Sequence, residues 1–132
     1  MSKRETPMIR RYWEEQVGGT LIEEFPAVRR AKDRGPRFLD AVILPNKETC
    51  IAAPRREVPL RGEDVIVVQA KASRLGMSLM GQTLFSAELI KPFGPASVRS
   101  VALCTQDDSV LRPLLEQYPG MEVVVLAEDR AA

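Results

Sequence analysis

The sequence predicts an α/β fold in which helices flank a mixed central sheet. Two segments rich in Val, Ile and Leu, residues 38–44 and 64–71, have the composition of buried strands. A later segment, residues 75–93, carries apolar residues at helical spacing and is closed by proline and glycine. Strands in direct succession can form a meander, whereas a strand reached through a helix is typically parallel. A sheet of mixed direction is therefore expected.

The remaining elements follow from local patterns. Ile9, Trp13 and Val17 recur every four residues and predict an amphipathic helix over residues 8–17. A strand is predicted at 20–28, where Pro26 indicates an edge position or a bulge. Beyond this point we predict a charged loop at 29–37, the strand 38–44, a proline-rich loop at 46–63 in which 49–53 can pair, and the strand 64–71. The helix 75–93 follows, with an apolar stripe formed by Leu79, Met80, Leu84, Phe85, Leu89 and Ile90. The chain then continues with a strand at 98–104, a helix capped by Asp107 or Asp108 and running to about Gln117, and a strand at 121–126. The predicted order is α-β-β-β-α-β-α-β, in a single domain spanning residues 1–132.

The amino-acid composition limits which kinds of catalytic and metal site the chain can form. The chain has 132 residues, is 45% hydrophobic and contains no histidine, which excludes Ser-His-Asp and Cys-His catalysis and histidine-held metals. Cys50 and Cys104 are isolated, without the Cys-x-x-Cys spacing of a zinc or redox site, and are interpreted as packed thiols. Any metal would therefore be bound by oxygen atoms, which favours magnesium or manganese over zinc.

The amino terminus is polar, and no apolar run approaches the ~18 residues of a membrane helix. We therefore expect a cytoplasmic protein with no signal peptide and no membrane partner.

Charge is distributed unevenly although the net charge is only +1. Residues 29–61 contain nine basic and four acidic side chains, whereas residues 105–132 contain two basic and six acidic ones. The basic middle is interpreted either as a face that binds a polyanion or as an uneven but merely solvated surface.

Three polar residues stand in the two apolar strands. Asp40 lies near the start of the first strand, and Gln69 and Lys71 close the second. Because strand side chains alternate between faces, Gln69 and Lys71 should emerge on the same side of the sheet. A buried amide and ammonium at such a place require a partner or a function.

This element order, with an acid on one strand and Gln-x-Lys on the next long one, resembles the PD-(D/E)XK nuclease superfamily. That superfamily has the restriction-endonuclease-like fold and includes archaeal Holliday-junction resolvases. The resemblance covers about residues 8–105, with Asp40 matching the family's aspartate, Gln69 its usual Glu or Asp, and Lys71 its lysine. It implies a metal-dependent nuclease that hydrolyses DNA phosphodiester bonds with Mg²⁺ or Mn²⁺.

The resemblance also implies roles for individual residues. Asp40, the Gln69 amide oxygen and the Ala70 carbonyl would bind the metal, and Lys71 would activate water. An acid from the first helix (Glu14 or Glu15) or Glu24 would replace the charge that Gln69 lacks. Ser73, Arg74 and Gln82 would contact nucleic acid. A phosphate clamp would be formed by Arg55, Arg56 and Arg61. Junction-cutting relatives act as dimers, so a homodimer is implied.

Other interpretations remain open. Asp40 can pair with Arg37 or Lys71 at a strand end, and Glu14, Glu15 and Gln82 can be ordinary exposed helix residues. Because Gln69 cannot ionise, the chain can instead be a catalytically inactive nuclease-fold module that binds nucleic acid or protein. A homodimeric α/β subunit unrelated to nucleic acid is a third hypothesis. The sequence leaves open whether the substrate is DNA or RNA, and whether it is branched.

Overall fold

A computed structural model describes residues 4–54 and 57–128, and its elements follow the predicted order with one short strand added. The elements are α1 (Glu5–Tyr12), a π-helical turn (Trp13–Val17), β1 (Thr20–Val28), β2 (Arg37–Leu44), β3 (Cys50–Ile51), β4 (Asp64–Arg74), α2 (Met77–Ile90), a 3₁₀ turn (Lys91–Phe93), β5 (Ser97–Gln106), α3 (Leu111–Glu116) and β6 (Met121–Val125). The added strand β3 falls within the segment 49–53 that was expected to pair.

The six strands form one sheet of mixed direction in the order β3-β1-β2-β4-β5-β6. Strands β1, β2 and β4 make an antiparallel meander, and β4, β5 and β6 run parallel because α2 and α3 provide the crossovers. β3 pairs in parallel with the first residues of β1. The predicted mixed α/β architecture is confirmed.

Helices cover both faces of the sheet. Ile9 and Tyr12 of α1 pack on one face, in a cluster with alternate residues of the central strands such as Ile43 and Val68. On the other face α2 covers Val67 through Ile90, and α2 and α3 together cover β5 and β6. The even and odd positions of β4 therefore face different helices, as a doubly covered strand requires.

The entry into β1 is a tight turn at Gly18 and Gly19. Gly19 has φ +76°, and a Cβ there would lie 2.2 Å from the carbonyl oxygen of Leu44. Trp13 fixes the turn by donating its indole N–H to the Gly19 carbonyl at 2.9 Å. Glycine is required here because both the backbone angle and the close approach exclude a side chain.

Helix α2 differs from the predicted apolar stripe. Phe85 is 71% exposed, whereas the small polar residues Thr83 and Ser86 are buried. Ser86 accepts a hydrogen bond from Gln69 of β4 at 2.6 Å, and Ser100 of β5 donates to the Thr83 carbonyl at 2.7 Å. Gln69 thus pairs with the inward side chain of Ser86, whereas the inward hydroxyl of Thr83 donates to the Leu79 carbonyl of its own helix at 2.7 Å, and Phe85 stays outside.

Several local predictions are confirmed. Asp108 caps α3 by accepting the N–H groups of Val110 and Leu111, and the register of β1 shifts between Pro26 and Val28. Cys104 is a buried free thiol, and Cys50 is a half-buried one. Among the residues described, no helix is long and apolar enough to cross a membrane.

Candidate functional site

The pairing between β2 and β4 stops where the polar residues begin. The ladder joins Ala41–Ile43 to Ile66–Val68. One residue further along, Asp40 accepts the backbone N–H of Ala70 through Oδ2 at 2.9 Å. A carboxylate thus occupies the hydrogen-bonding position that the next strand pairing would have filled.

The alternation of faces also breaks at Asp40. Ala41 packs on the α1 side, but Leu39, two residues away, packs on the α2 side. The neighbouring strand β1 has a matching irregularity, with Glu24 at φ 51° between the pairs Glu23–Ala41 and Phe25–Leu39. Glu24 and Asp40 therefore occupy the unpaired position between these two pairs, where both strands depart from regular geometry.

Asp40 is half-buried, and its environment disfavours ionisation. Burial raises the pKa of the Asp40 carboxyl, while the hydrogen bond from the Ala70 N–H opposes the rise. The negative charges of Glu5 and Glu24 raise this pKa further. A bound cation would relieve both penalties, because it offsets the repulsion and favours the ionised carboxylate.

Gln69 lies on β4 beside this point and is only 6% exposed. Its Nε2 donates to Ser86 Oγ at 2.6 Å, so the amide orientation is set by α2. Asp40, Gln69 and Gln82 all line one open groove of about 600 Å³ between β2 and α2.

Ala70 contributes a backbone oxygen on the same side. The N–H and C=O of a strand residue point towards the same neighbouring strand, and the Ala70 N–H points at Asp40. The Ala70 carbonyl is therefore directed towards the β2 side, next to the Asp40 carboxylate. Carboxylate, carbonyl and amide oxygens are the ligands that Mg²⁺ prefers, so these groups fit the ion. In residues 4–54 and 57–128, no cluster of three or more His, Cys, Asp or Glu side chains has the arrangement of a metal site.

Lys71 is exposed and lies three residues before the end of β4. It is two residues beyond Gln69 and pairs in register with Cys104 of β5, which packs on the α2 side. Strand alternation therefore puts Lys71 on the same side of the sheet as Gln69.

The acids predicted on the first helix lie elsewhere. Glu14 and Glu15 belong to the π-helical turn and line a groove on the α1 side with Ala72. Glu15 pairs with Arg11 at 3.3 Å. The carboxylate of α1 that acts on Asp40 is Glu5, which the sequence did not single out because the helix begins three residues before the predicted start.

The residues proposed to contact nucleic acid are dispersed. Gln82 lines the groove with Asp40, whereas exposed Ser73 lines a different cavity beside Thr105. Arg74 donates to the Asp107 carbonyl at 2.5 Å. Arg55 and Arg56 lie outside the described residues.

Arg61 lies at the other end of the sheet from the candidate site. Its guanidinium is beside Gly94, where a Cβ would lie 2.8 Å from Nη1. This point precedes β4, and Gln69 lies about 16 Å further along that strand at about 3.3 Å per residue. A phosphate clamp at Asp40 that includes Arg61 is therefore not formed.

Comparison of the chain with protein-family models, with curated proteins and with solved structures gives no match. The fold and site define an α/β protein with a half-buried aspartate at the point where two central strands separate.

Proposed function

We propose that this protein is a metal-dependent nuclease of the PD-(D/E)XK type that hydrolyses DNA phosphodiester bonds. The observation that carries the proposal is the Asp40 carboxylate on the Ala70 N–H, beyond the end of the β2–β4 ladder. A half-buried acid with two further carboxylates acting on it is costly unless it has a use. Binding a cation is the use that best matches the surrounding oxygen atoms.

Three groups would hold the ion, namely the Asp40 carboxylate, the Gln69 amide oxygen and the Ala70 carbonyl. Ser86 supports this set because it accepts the Gln69 Nε2 hydrogen at 2.6 Å, which leaves Oε1 as the ligating atom. Glu24 would supply the negative charge that Gln69 lacks, since it lies opposite Asp40. When bound, Mg²⁺ lowers the pKa of water and stabilises charge on the phosphate.

Lys71 would act on the attacking water and on the developing charge. Lys71 is exposed in the last part of β4, on the side of Gln69, where a water molecule and a phosphate can both reach it. The flexible stem and compact charge of lysine suit an oxygen atom whose charge changes during the reaction.

Cleavage assays test the proposal directly. Asp40→Ala should abolish Mg²⁺-dependent cutting of linear and branched DNA, and Lys71→Ala should reduce it by about 100-fold or more. The matched controls are Glu88→Ala and Lys91→Ala, which remove an exposed ion pair at the far end of α2. Equal activity of Asp40→Ala, Lys71→Ala and the parent would reject the assignment.

A second candidate function is a non-catalytic module with the same fold that binds nucleic acid or protein. The observation that favours this module is the buried Gln69–Ser86 hydrogen bond, which gives Gln69 a structural role between β4 and α2 that needs no metal. Calorimetric titration with Mg²⁺ and Mn²⁺ separates the candidates. Neither metal binding nor cutting would favour the module. The homodimer remains a prediction for sedimentation analysis.

A further inference from the structure

An unusual group of exposed apolar side chains surrounds the groove beside Asp40. Phe38 is 60% exposed, Met77 is 76% exposed and Phe85 is 71% exposed, and all three line this groove. They come from both of its walls, since Phe38 belongs to β2 whereas Met77 and Phe85 belong to α2. Exposed aromatic groups concentrated at one concave site indicate a binding surface rather than ordinary surface composition.

Cations adjoin the same groove. The hairpin connection between β1 and β2 carries Arg29, Arg30, Lys32 and Arg34 against the single acid Asp33, and Arg37 follows as the first residue of β2. All five basic residues are exposed, and none forms an ion pair within the described part of the chain. Arg37 itself lines the groove together with Phe38. The hairpin folds back on itself, as Arg34 Nε donates to the Arg29 carbonyl at 3.1 Å, so these charges are held close together.

Aromatic rings beside cations that form no ion pair suit a ligand with both flat rings and negative charge. A nucleic-acid strand has phosphates that pair with arginine and bases that stack on aromatic faces, but its bases are accessible only where they are not in a duplex. A second copy of this chain related by a twofold axis through the groove would bring its own copy of the cationic hairpin near this one, which charge repulsion opposes.

We propose that the groove binds unpaired nucleobases of a DNA strand, with the backbone of that strand lying on the β1–β2 hairpin. Phe38 and Phe85 contact the bases from the two walls, Met77 covers the end of the groove, and Arg37 holds a phosphate next to Asp40. This inference rests on the proposed nuclease function and deepens it, because it assigns substrates with a single-stranded segment, such as flaps and junctions with unpaired nucleotides. Cleavage would then fall beside the unpaired segment.

Binding measured without metal isolates the inference from catalysis. Fluorescence anisotropy in EDTA would compare a labelled 20-nucleotide oligo-dT, an abasic strand of the same length and a blunt duplex. Phe38→Ala and Phe85→Ala should each weaken oligo-dT binding by about 10-fold and leave abasic and duplex binding unchanged. Arg37→Ala should weaken binding to all three ligands and reduce the salt dependence. Tyr118→Ala is the matched control, because this exposed aromatic lies between α3 and β6.

The inference is overturned if Phe38→Ala and Phe85→Ala bind oligo-dT as Tyr118→Ala does. It is also overturned if Phe85→Ala converts a dimer to a monomer in sedimentation velocity while base-dependent binding persists, since the groove would then hold a second copy. Thermal melting checks that each variant is folded. The nuclease proposal and the groove assignment fail separately. Base-dependent binding without Mg²⁺-dependent cutting would reject the nuclease proposal and leave the groove assignment intact. Mg²⁺-dependent cutting that does not change in Phe38→Ala and Phe85→Ala would reject the groove assignment alone.

Discussion

Asp40 and Ala70 are joined by a 2.9 Å hydrogen bond from a backbone N–H to a carboxylate, beyond the last backbone pairing of β2 with β4. This bond holds an acidic side chain at the point where two central strands separate. It also directs the neighbouring carbonyl of Ala70 towards the same space. The Asp40 carboxylate and the Ala70 backbone are therefore positioned by the strands themselves.

Replacing Asp40 with Asn should stabilise the metal-free protein at pH 7. The folded-state pKa of Asp40 is raised by burial and by nearby carboxylates, so ionisation at neutral pH costs the folded state free energy. The amide of Asn can still accept the Ala70 N–H but carries no charge. Urea unfolding at a series of pH values should show this gain at pH 7 and its disappearance below about pH 3.8, where aspartate is protonated in both states.

Added Mg²⁺ should reverse the order of the two proteins, because only the parent gains stability from binding the ion. An Asp40→Asn protein that is less stable than the parent at pH 7 without metal would contradict the electrostatic account.

Replacing Gln69 with Glu should restore the charge that the metal site lacks. We expect Mg²⁺ affinity, measured by calorimetry, to rise by about 10-fold, since a carboxylate binds the ion more strongly than an amide oxygen. Without metal the same variant should melt at a lower temperature, because a buried charge replaces a satisfied amide.

The control for this substitution is Ser86→Ala, which removes the 2.6 Å hydrogen-bond partner of Gln69 without adding charge. Ser86→Ala should lower the free energy of unfolding by about 1–2 kcal/mol. It should not raise the Mg²⁺ affinity as Gln69→Glu does. Unchanged Mg²⁺ affinity in Gln69→Glu would exclude Gln69 from the ligand set.

Tyr12 should make stability fall at high pH. Burial raises the pKa of Tyr12 to about 12 from an ordinary value of 10.0. The negative charge of Glu122 adds to this rise, and the positive charge of Arg99 opposes it. Its neutral form is therefore favoured by folding: the contribution is complete below pH 10 and is lost as the pH rises through 12. Since one pKa unit is worth about 1.4 kcal/mol, a rise of about two units makes the full loss about 3 kcal/mol.

Guanidinium unfolding between pH 9 and 12 measures this loss. Tyr12→Phe should flatten the pH dependence, whereas Tyr118→Phe, at an exposed tyrosine, should leave it steep. Identical slopes for the two variants would place the alkaline transition elsewhere.

Two glycines should respond to alanine in opposite directions. Gly19→Ala adds a Cβ 2.2 Å from a backbone oxygen at φ +76° and should cost on the order of 3 kcal/mol. Gly81→Ala adds a methyl group inside α2 with nothing within 4 Å, and should stabilise by about 1 kcal/mol through helix propensity. Thermal denaturation checks both signs, and a stable Gly19→Ala would contradict the described turn.

Much of the fold was predictable because its signals are local. The apolar runs that became β2 and β4, the glycines before β1 and the capping Asp108 each act on residues adjacent in the chain. The order of helices and strands then fixed which neighbours could be parallel. The interpretation of Phe85 as a core residue was wrong, because the inward face of α2 carries Ser86, which accepts the buried Gln69 amide, and Thr83, whose hydroxyl bonds the Leu79 carbonyl of the same helix.

The sequence by itself determined the α/β class, the alternation of buried and polar strand residues, the absence of histidine chemistry and the concentration of arginine before β2. Only the tertiary structure decided that Asp40 meets Ala70, that Glu24 and the unanticipated Glu5, among the candidate acids, act on this carboxylate, and that Phe38 and Phe85 line one groove. The physical reason is distance along the chain. These residues, 16 to 47 positions apart, come together only through strand register and the irregularity shared by β1 and β2, and neither leaves a signal in local composition.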